Sequence, residues 1–233
     1  MRISTPPGRD GLRAALLGGG PKSAKAVALV LHGGKEDSNA AVQSWQVAVL
    51  RMVPIARRLR LVGSDAGLAV WRLLFTCRGW NGDGARPIDD VRWAVEQLRA
   101  RHGEVPVVLV GHSLGGRVAV RAAGEDGIVG VVALAPWIPP GEPRDQLDGR
   151  RLLVVHGTRD RVTSPAESRR YVEAIRGSGD EACYVGLRGC GHAMMRRAGV
   201  WSKLTTDYVL HAGLGIEPGP VIASALVRGE VFD

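Results

Sequence analysis

Cysteine is scarce in this 233-residue chain, and the three present, Cys77, Cys183 and Cys190, form no CxxC pair and cannot all be joined. A disulfide framework is excluded, and free thiols fit a reducing, cytoplasmic setting. Long apolar runs are also missing. Stretches such as Ala26–Leu31 and Val129–Trp137 fall far short of the ~20 residues needed to cross a bilayer, so no transmembrane segment is expected. Near the N-terminus, Arg2 and Arg9 are followed by no adequate apolar core: Pro6, Pro7 and Gly8 interrupt it, and Leu12–Leu17 is short and contains Arg13. No export signal is read there. Internal repeats and low-complexity linkers are absent. Lysine is rare, at four residues against 27 arginines, and the net charge is +8. The arginines are scattered, at most two are adjacent, and no basic run interleaves aromatics, so a nucleic-acid platform is not expected.

What the chain does have is 45% apolar residues, enough for one substantial core without a metal or disulfide staple. Val27–Leu31, Leu68–Phe75, Val105–Val110, Ile128–Leu134, Leu152–Val155 and Ala182–Leu187 read as strands, mostly buried on both faces. Helical spacing occupies Val42–Leu61 (with Pro54 as a kink or break), Asp89–His102, a stretch ending near Ala123, Pro165–Ile175 and Trp201–His211. The alternation predicts an α/β fold, a mostly parallel central sheet with helices on both faces, whose chemistry lies at the carboxyl ends of the strands. One domain over 1–233 is expected, with 1–25 as a lead-in and 214–233 as a tail with no assigned structure.

Gly111-His112-Ser113-Leu114-Gly115 matches GxSxG. Random placement would give roughly 0.2 such matches in this composition, so the pattern alone is weak. Its setting between a buried strand and a helix is the stronger signal, because that turn needs glycines where backbones pass closely. A phosphate loop is the rival reading, but neither GxxxxGK[ST] nor GxGxxG occurs at this turn.

A serine nucleophile needs a base, and the base an orienting acid. Asp160 follows the Leu152–Val155 strand and His192 follows the last strand, giving the order Ser113, Asp160, His192 at intervals of 47 and 32 residues. Asp145 and Asp148 are rival acids but precede their strand. His32 and His156 end buried strands and read as structural, His112 points away from its neighbour Ser113, and His102 and His211 read as surface residues. Cys190 and His192 have no second pair at ligand spacing, so no metal is expected.

At this point the sequence, from about Val27 to His211, resembles the α/β-hydrolase fold superfamily, whose chain order is nucleophile, acid, histidine. The resemblance implies a serine hydrolase acting on an ester or related acyl compound, a small-molecule substrate, no cofactor, and an oxyanion hole from the backbone N–H groups of Leu114 and Gly34, with Lys35 as alternate. Acyltransferase, thioesterase or peptidase chemistry on the same residues, or a non-catalytic binding protein, are the alternatives. Cys77 departs from the pattern, standing where many relatives carry Asp before the Arg-Gly pair. Relatives acting on long lipids insert a helical cap after the strand corresponding to Ile128–Leu134, yet only 14 residues separate Pro136 from Arg151. No full cap fits, which predicts short acyl groups or substrates too large for a lidded pocket. Trp80 and Trp137 border an open mouth or pack in the core.

Overall fold

The computed structural model describes residues 1–6, 11–178 and 181–233; Pro7, Gly8 and Arg9 lie outside them. Strands β1 (Arg2–Ser4), β2 (Ala15–Gly19), β3 (Ala26–Leu31), β4 (Leu68–Leu74), β5 (Val107–His112), β6 (Ile128–Leu134), β7 (Arg151–Gly157), β8 (Ala182–Leu187) and β9 (Glu230–Phe232) form one sheet. Their spatial order is β1-β2-β4-β3-β5-β6-β7-β8-β9. From β4 to β9 every pairing is parallel, while β1 and β2 add an antiparallel edge.

The helices are α1 (Val47–Leu50), α2 (Val53–Gly63), α3 (Ala85–His102), α4 (Leu114–Arg121), α5 (Pro165–Gly177), α6 (Ala198–Leu214) and α7 (Pro220–Arg228). Period-two alternation sends successive side chains of each strand to opposite faces. In β3, Val27, Leu29 and Leu31 join the core under α3, α4 and α5, and Ala26, Ala28 and Val30 join the one under α2, α6 and α7. Both faces are therefore covered, as a parallel sheet requires.

Three expectations need correction. The segment Val42–Leu61 is not one kinked helix: Val42 and Trp45 lie outside helix, and Pro54 sits in the first turn of α2, where its missing N–H costs nothing. Asp89 and Asp90 do not open α3, which starts at Ala85; Asp90 is buried and accepts hydrogen bonds from the N–H and Oγ1 of Thr76, at 2.7 and 2.6 Å. The lead-in and the tail both have structure. The lead-in supplies β1 and β2, and the tail forms α7 and β9, the latter pairing Tyr184–Gly186 through Glu230–Phe232. Between β6 and β7 the short segment makes only a 3₁₀ turn at Asp145–Leu147, so among the described residues no helical cap is inserted there. No helix among the described residues is long and apolar enough to cross a membrane.

Candidate active site

The parallel register stacks the carboxyl ends of β3, β5, β6, β7 and β8 side by side. Between β5 and α4 the chain reverses so tightly that a Cβ on Gly111 would lie 2.1 Å from Gly115 O, and one on Gly115 2.4 Å from His32 O. Ser113, at the apex, is held at φ 57° and ψ −120°, a strained conformation for a residue with a Cβ, costing about 1–3 kcal/mol. Three amides pin its carbonyl oxygen: Gly116 at 3.0 Å, Arg117 at 3.2 Å and Trp137 at 3.1 Å. The strain is thus maintained by the surrounding backbone.

Ser113 Oγ lies 3.0 Å from His192 Nε2, and His192 Nδ1 lies 2.9 Å from Asp160 Oδ2. The fold brings together three residues from three strand ends. The Asp160 carboxylate is fully buried and the His192 ring is 15% exposed. Asp145 and Asp148 are exposed on the 3₁₀ segment and away from this chain of contacts.

Asp160 is unusually well held. Its Oδ1 accepts from the amides of Val162 (2.8 Å) and Thr163 (3.1 Å), and its Oδ2 from His156 Nε2 (3.1 Å) as well as His192. Burial alone would raise its pKa, but the hydrogen bonds from His156, His192, Val162 and Thr163 outweigh it and hold the carboxyl well below the usual carboxylate range. It is an anion at neutral pH.

His156 is the buried, hydrogen-bonding structural residue that the sequence suggested. With Nε2–H given to Asp160, its Nδ1 accepts from Ser168 Oγ at 3.0 Å. Burial lowers its pKa, only partly offset by Asp160, so the ring is neutral. Thr163 Oγ1 completes the cluster, 3.0 Å from Asp160 Oδ2, 3.2 Å from His192 Nδ1 and 3.2 Å from Ala135 O. Sequence reading named neither Thr163 nor Ser168, and did not tie His156 to Asp160.

The other histidines make contacts of their own, three to backbone and one to a side chain. His112 donates Nε2–H to His192 O at 2.9 Å, and burial with the nearby His192 pushes its pKa down to about 3. His32 binds Gly33 O at 2.7 Å and the Phe75 amide at 3.2 Å; burial lowers its pKa to about 4. His102 and His211 lie on helices, partly exposed: His102 Nε2 accepts from Trp71 Nε1 at 3.1 Å, and His211 Nδ1 contacts Ile216 O at 3.3 Å.

Facing the serine is the loop after β3. A Cβ on Gly33 would come 3.3 Å from Ser113 Cβ, and one on Gly34 would strike Arg78 O at 2.3 Å, so the loop approaches only as glycine. The Lys35 amide is committed to Arg78 O at 2.8 Å, which removes it as an oxyanion donor; among the described residues the amides of Gly34 and Leu114 have no backbone acceptor. A cavity of about 300 Å³ opens beside Gly33, Gly34, Gln46 and Val47.

Trp80 is buried and Trp137 half-buried, and the Arg117 guanidinium lies between them, 4.0 and 4.5 Å from the two rings. Arg117 also binds the buried Glu142 at 2.8 Å. The tryptophans thus brace the start of α4. Cys77 is buried and contacts Gly79 O at 3.7 Å and Asn81 Nδ2 at 3.4 Å, a structural position within the turn. Among the described residues no group of His, Cys, Asp and Glu is arranged to hold a metal ion.

Comparison with known proteins places this geometry in context. Solved structures with the same architecture include an alpha-beta serine hydrolase homologue from Coxiella burnetii (TM-score 0.68, 15% identity, covering 90% of this chain and 97% of that one). Others are an a/b serine hydrolase without lid from Xanthomonas campestris (0.65, 24%, 90% and 93%) and an esterase from Pyrococcus furiosus (0.66, 14%, 91% and 90%). Among curated protein sequences none matches. The model of the alpha/beta hydrolase family matches residues 28–152, more than half of the chain. The chain belongs to the alpha/beta hydrolase family.

Proposed function

We propose that the protein hydrolyses a carboxylic ester or related acyl compound through an acyl-enzyme, with Ser113 as nucleophile, His192 as base and Asp160 as its orienting acid. The observation that carries this reading is the unbroken run Ser113 Oγ, His192 Nε2, His192 Nδ1, Asp160 Oδ2, with spacings of 3.0 and 2.9 Å across the two contacts. Ser113 Oγ bonds to the substrate carbonyl carbon as His192 Nε2 takes the hydroxyl proton. When the tetrahedral species collapses, the ester C–O bond breaks and that proton passes to the leaving oxygen, releasing an alcohol. Water then attacks the acyl-enzyme, giving a proton to His192; the acyl–Oγ bond breaks, the proton returns to Oγ, and the acid leaves.

The Leu114 and Gly34 amides are the proposed donors to the oxyanion. Asp160 remains ionised throughout and stabilises the imidazolium, while His156 and Thr163 keep its carboxylate aimed at His192. An esterase among the structural relatives is in keeping with ester chemistry, and three buried free cysteines fit the cytoplasmic setting we propose. The test pairs fluorophosphonate labelling with hydrolysis of p-nitrophenyl acetate. Both should be present in the native chain and lost in Ser113→Ala, with turnover down by roughly 10⁴-fold or more. Undiminished labelling of the variant would overturn the reading.

A further inference from the structure

Beside the candidate site, apolar side chains stand in solvent without a partner: Val47 is 69% exposed, Leu50 49% and Met195 82%. They rim a groove of about 280 Å³ whose inner residues include the buried Ile55, Met194 and Trp201. One wall is α1 and the other is the loop directly after His192. Among the described residues Arg51 is the one charged side chain lining it, and the hydroxyl of the lining residue Ser202 is already given to Ala198 O at 3.1 Å. The groove therefore offers a substrate contact surface and almost no hydrogen-bonding partner.

Two observations tie it to the reacting atoms. Ala193 and Met194, which line the groove, are the two residues after His192. Val47 lines both this groove and the cavity against Gly33 and Gly34, so the two spaces share a wall at α1.

Resting on the hydrolase reading above, we infer that this groove binds the acyl part of the substrate, an unbranched, uncharged chain of about six to eight carbons. Its size sits just below the roughly 300–1,000 Å³ of typical ligand pockets, which suits a medium chain and excludes a full fatty acyl group. Methionine side chains are flexible and polarizable, and adapt their shape to an apolar chain lying against them. The inference departs from the short-acyl expectation because α1 and the post-histidine loop supply the apolar surface that a missing cap does not.

The experiment measures kcat/KM for p-nitrophenyl esters from acetate to dodecanoate, all below micelle formation. Full burial of a methylene gives about fourfold, so a groove open on one side should give about twofold per carbon up to octanoate, then a plateau. Leu50→Glu should lower the octanoate-to-acetate ratio at least tenfold. Val227→Glu, at a more exposed apolar site on α7, should leave that ratio unchanged. Calorimetric titration with 1-octanol supplies a readout independent of turnover, and binding should weaken about tenfold in Leu50→Glu. A flat chain-length profile with an unaltered ratio in Leu50→Glu overturns the inference while leaving the hydrolase reading intact, as does a Leu50→Glu effect confined to self-association. If no ester is cleaved and no serine is labelled, yet 1-octanol binds the native chain and not the variant, the groove stands and the hydrolase reading falls.

Discussion

The two ends of the candidate site are held by different forces. At the serine end, position is imposed by backbone: glycines 111 and 115 allow strand and helix to touch, and main-chain amides fix the Ser113 carbonyl. At the acid end, side chains do the holding, with Asp160 receiving His156, His192 and Thr163 as well as two amides. A backbone-built end should fail abruptly when a single Cβ is added. A network-built end should fail by degrees, because each partner carries only part of the restraint.

The largest effect on the network side is expected from Asp160→Asn, which removes the anion proposed to orient and stabilise the histidine. Turnover of p-nitrophenyl acetate should fall by about 10³–10⁴-fold with little change in KM. At the serine end, Gly115→Ala should cost about 10²-fold in kcat/KM through displacement of the nucleophile. Its added Cβ would sit 2.4 Å from His32 O, so thermal unfolding should also shift down, by an amount equivalent to about 3 kcal/mol. Equal stability of this variant and the native chain would erase the contrast between the ends.

A graded response is expected from His156→Leu, with kcat reduced about tenfold. Without the His156 donor the Asp160 carboxylate has one partner fewer and is aimed less firmly at His192, so the loss should fall on kcat with KM nearly unchanged. A loss of active protein with unaltered kcat per labelled serine would reduce His156 to packing.

The last effect leaves turnover aside and is on stability alone. His32, His112 and His156 are buried with lowered pKa values, the first two down to about 4 and about 3. Below the ordinary histidine range the unfolded chain takes up protons that the folded chain refuses, so stability is complete above about pH 6.5 and declines as pH falls toward those values. Each ring contributes up to about 1.4 kcal/mol per pH unit across that window. Urea midpoints at pH 7, 6 and 5 should fall progressively, and a flat series would mean the rings are charged in the fold.

The same division explains what the sequence made legible. Strands β6 and β8 are continuous apolar runs between turn residues, and their observed limits, Ile128–Leu134 and Ala182–Leu187, are those read from composition. Ser113, Asp160 and His192 could be nominated because each follows such a strand. The helix read across Val42–Leu61 misled because Trp45 keeps helical spacing while lying outside helix and exposed to solvent. β2 was hidden by Gly18, Gly19 and Gly20, which look like a loop; a Cβ on Gly18 would meet Val70 O at 2.3 Å, so the glycine is there to let strands pair. β9 was invisible because Glu230-Val231-Phe232 becomes a strand only against β8, far away in sequence. Thr163 was passed over, and His156 left without a named partner, for a related reason: which side chain a carboxylate meets depends on loop geometry that residue spacing does not encode.

The short outer strands bear on solubility. A sheet of this size has two open margins, and unpaired backbone along a margin is a template for another chain. Here both margins end in three-residue strands, Arg2–Ser4 and Glu230–Phe232. The second is tied down by charge, with Glu230 on Arg169 at 2.6 Å and Asp233 on Arg197 at 2.8 Å. Behind it lies β8, buried along its whole length and apolar enough to recruit a partner if uncovered. The few residues after Gly229 thus act as a selvedge: they add little to the core, but they keep an adhesive interior strand from becoming a surface on which copies of the protein could stack.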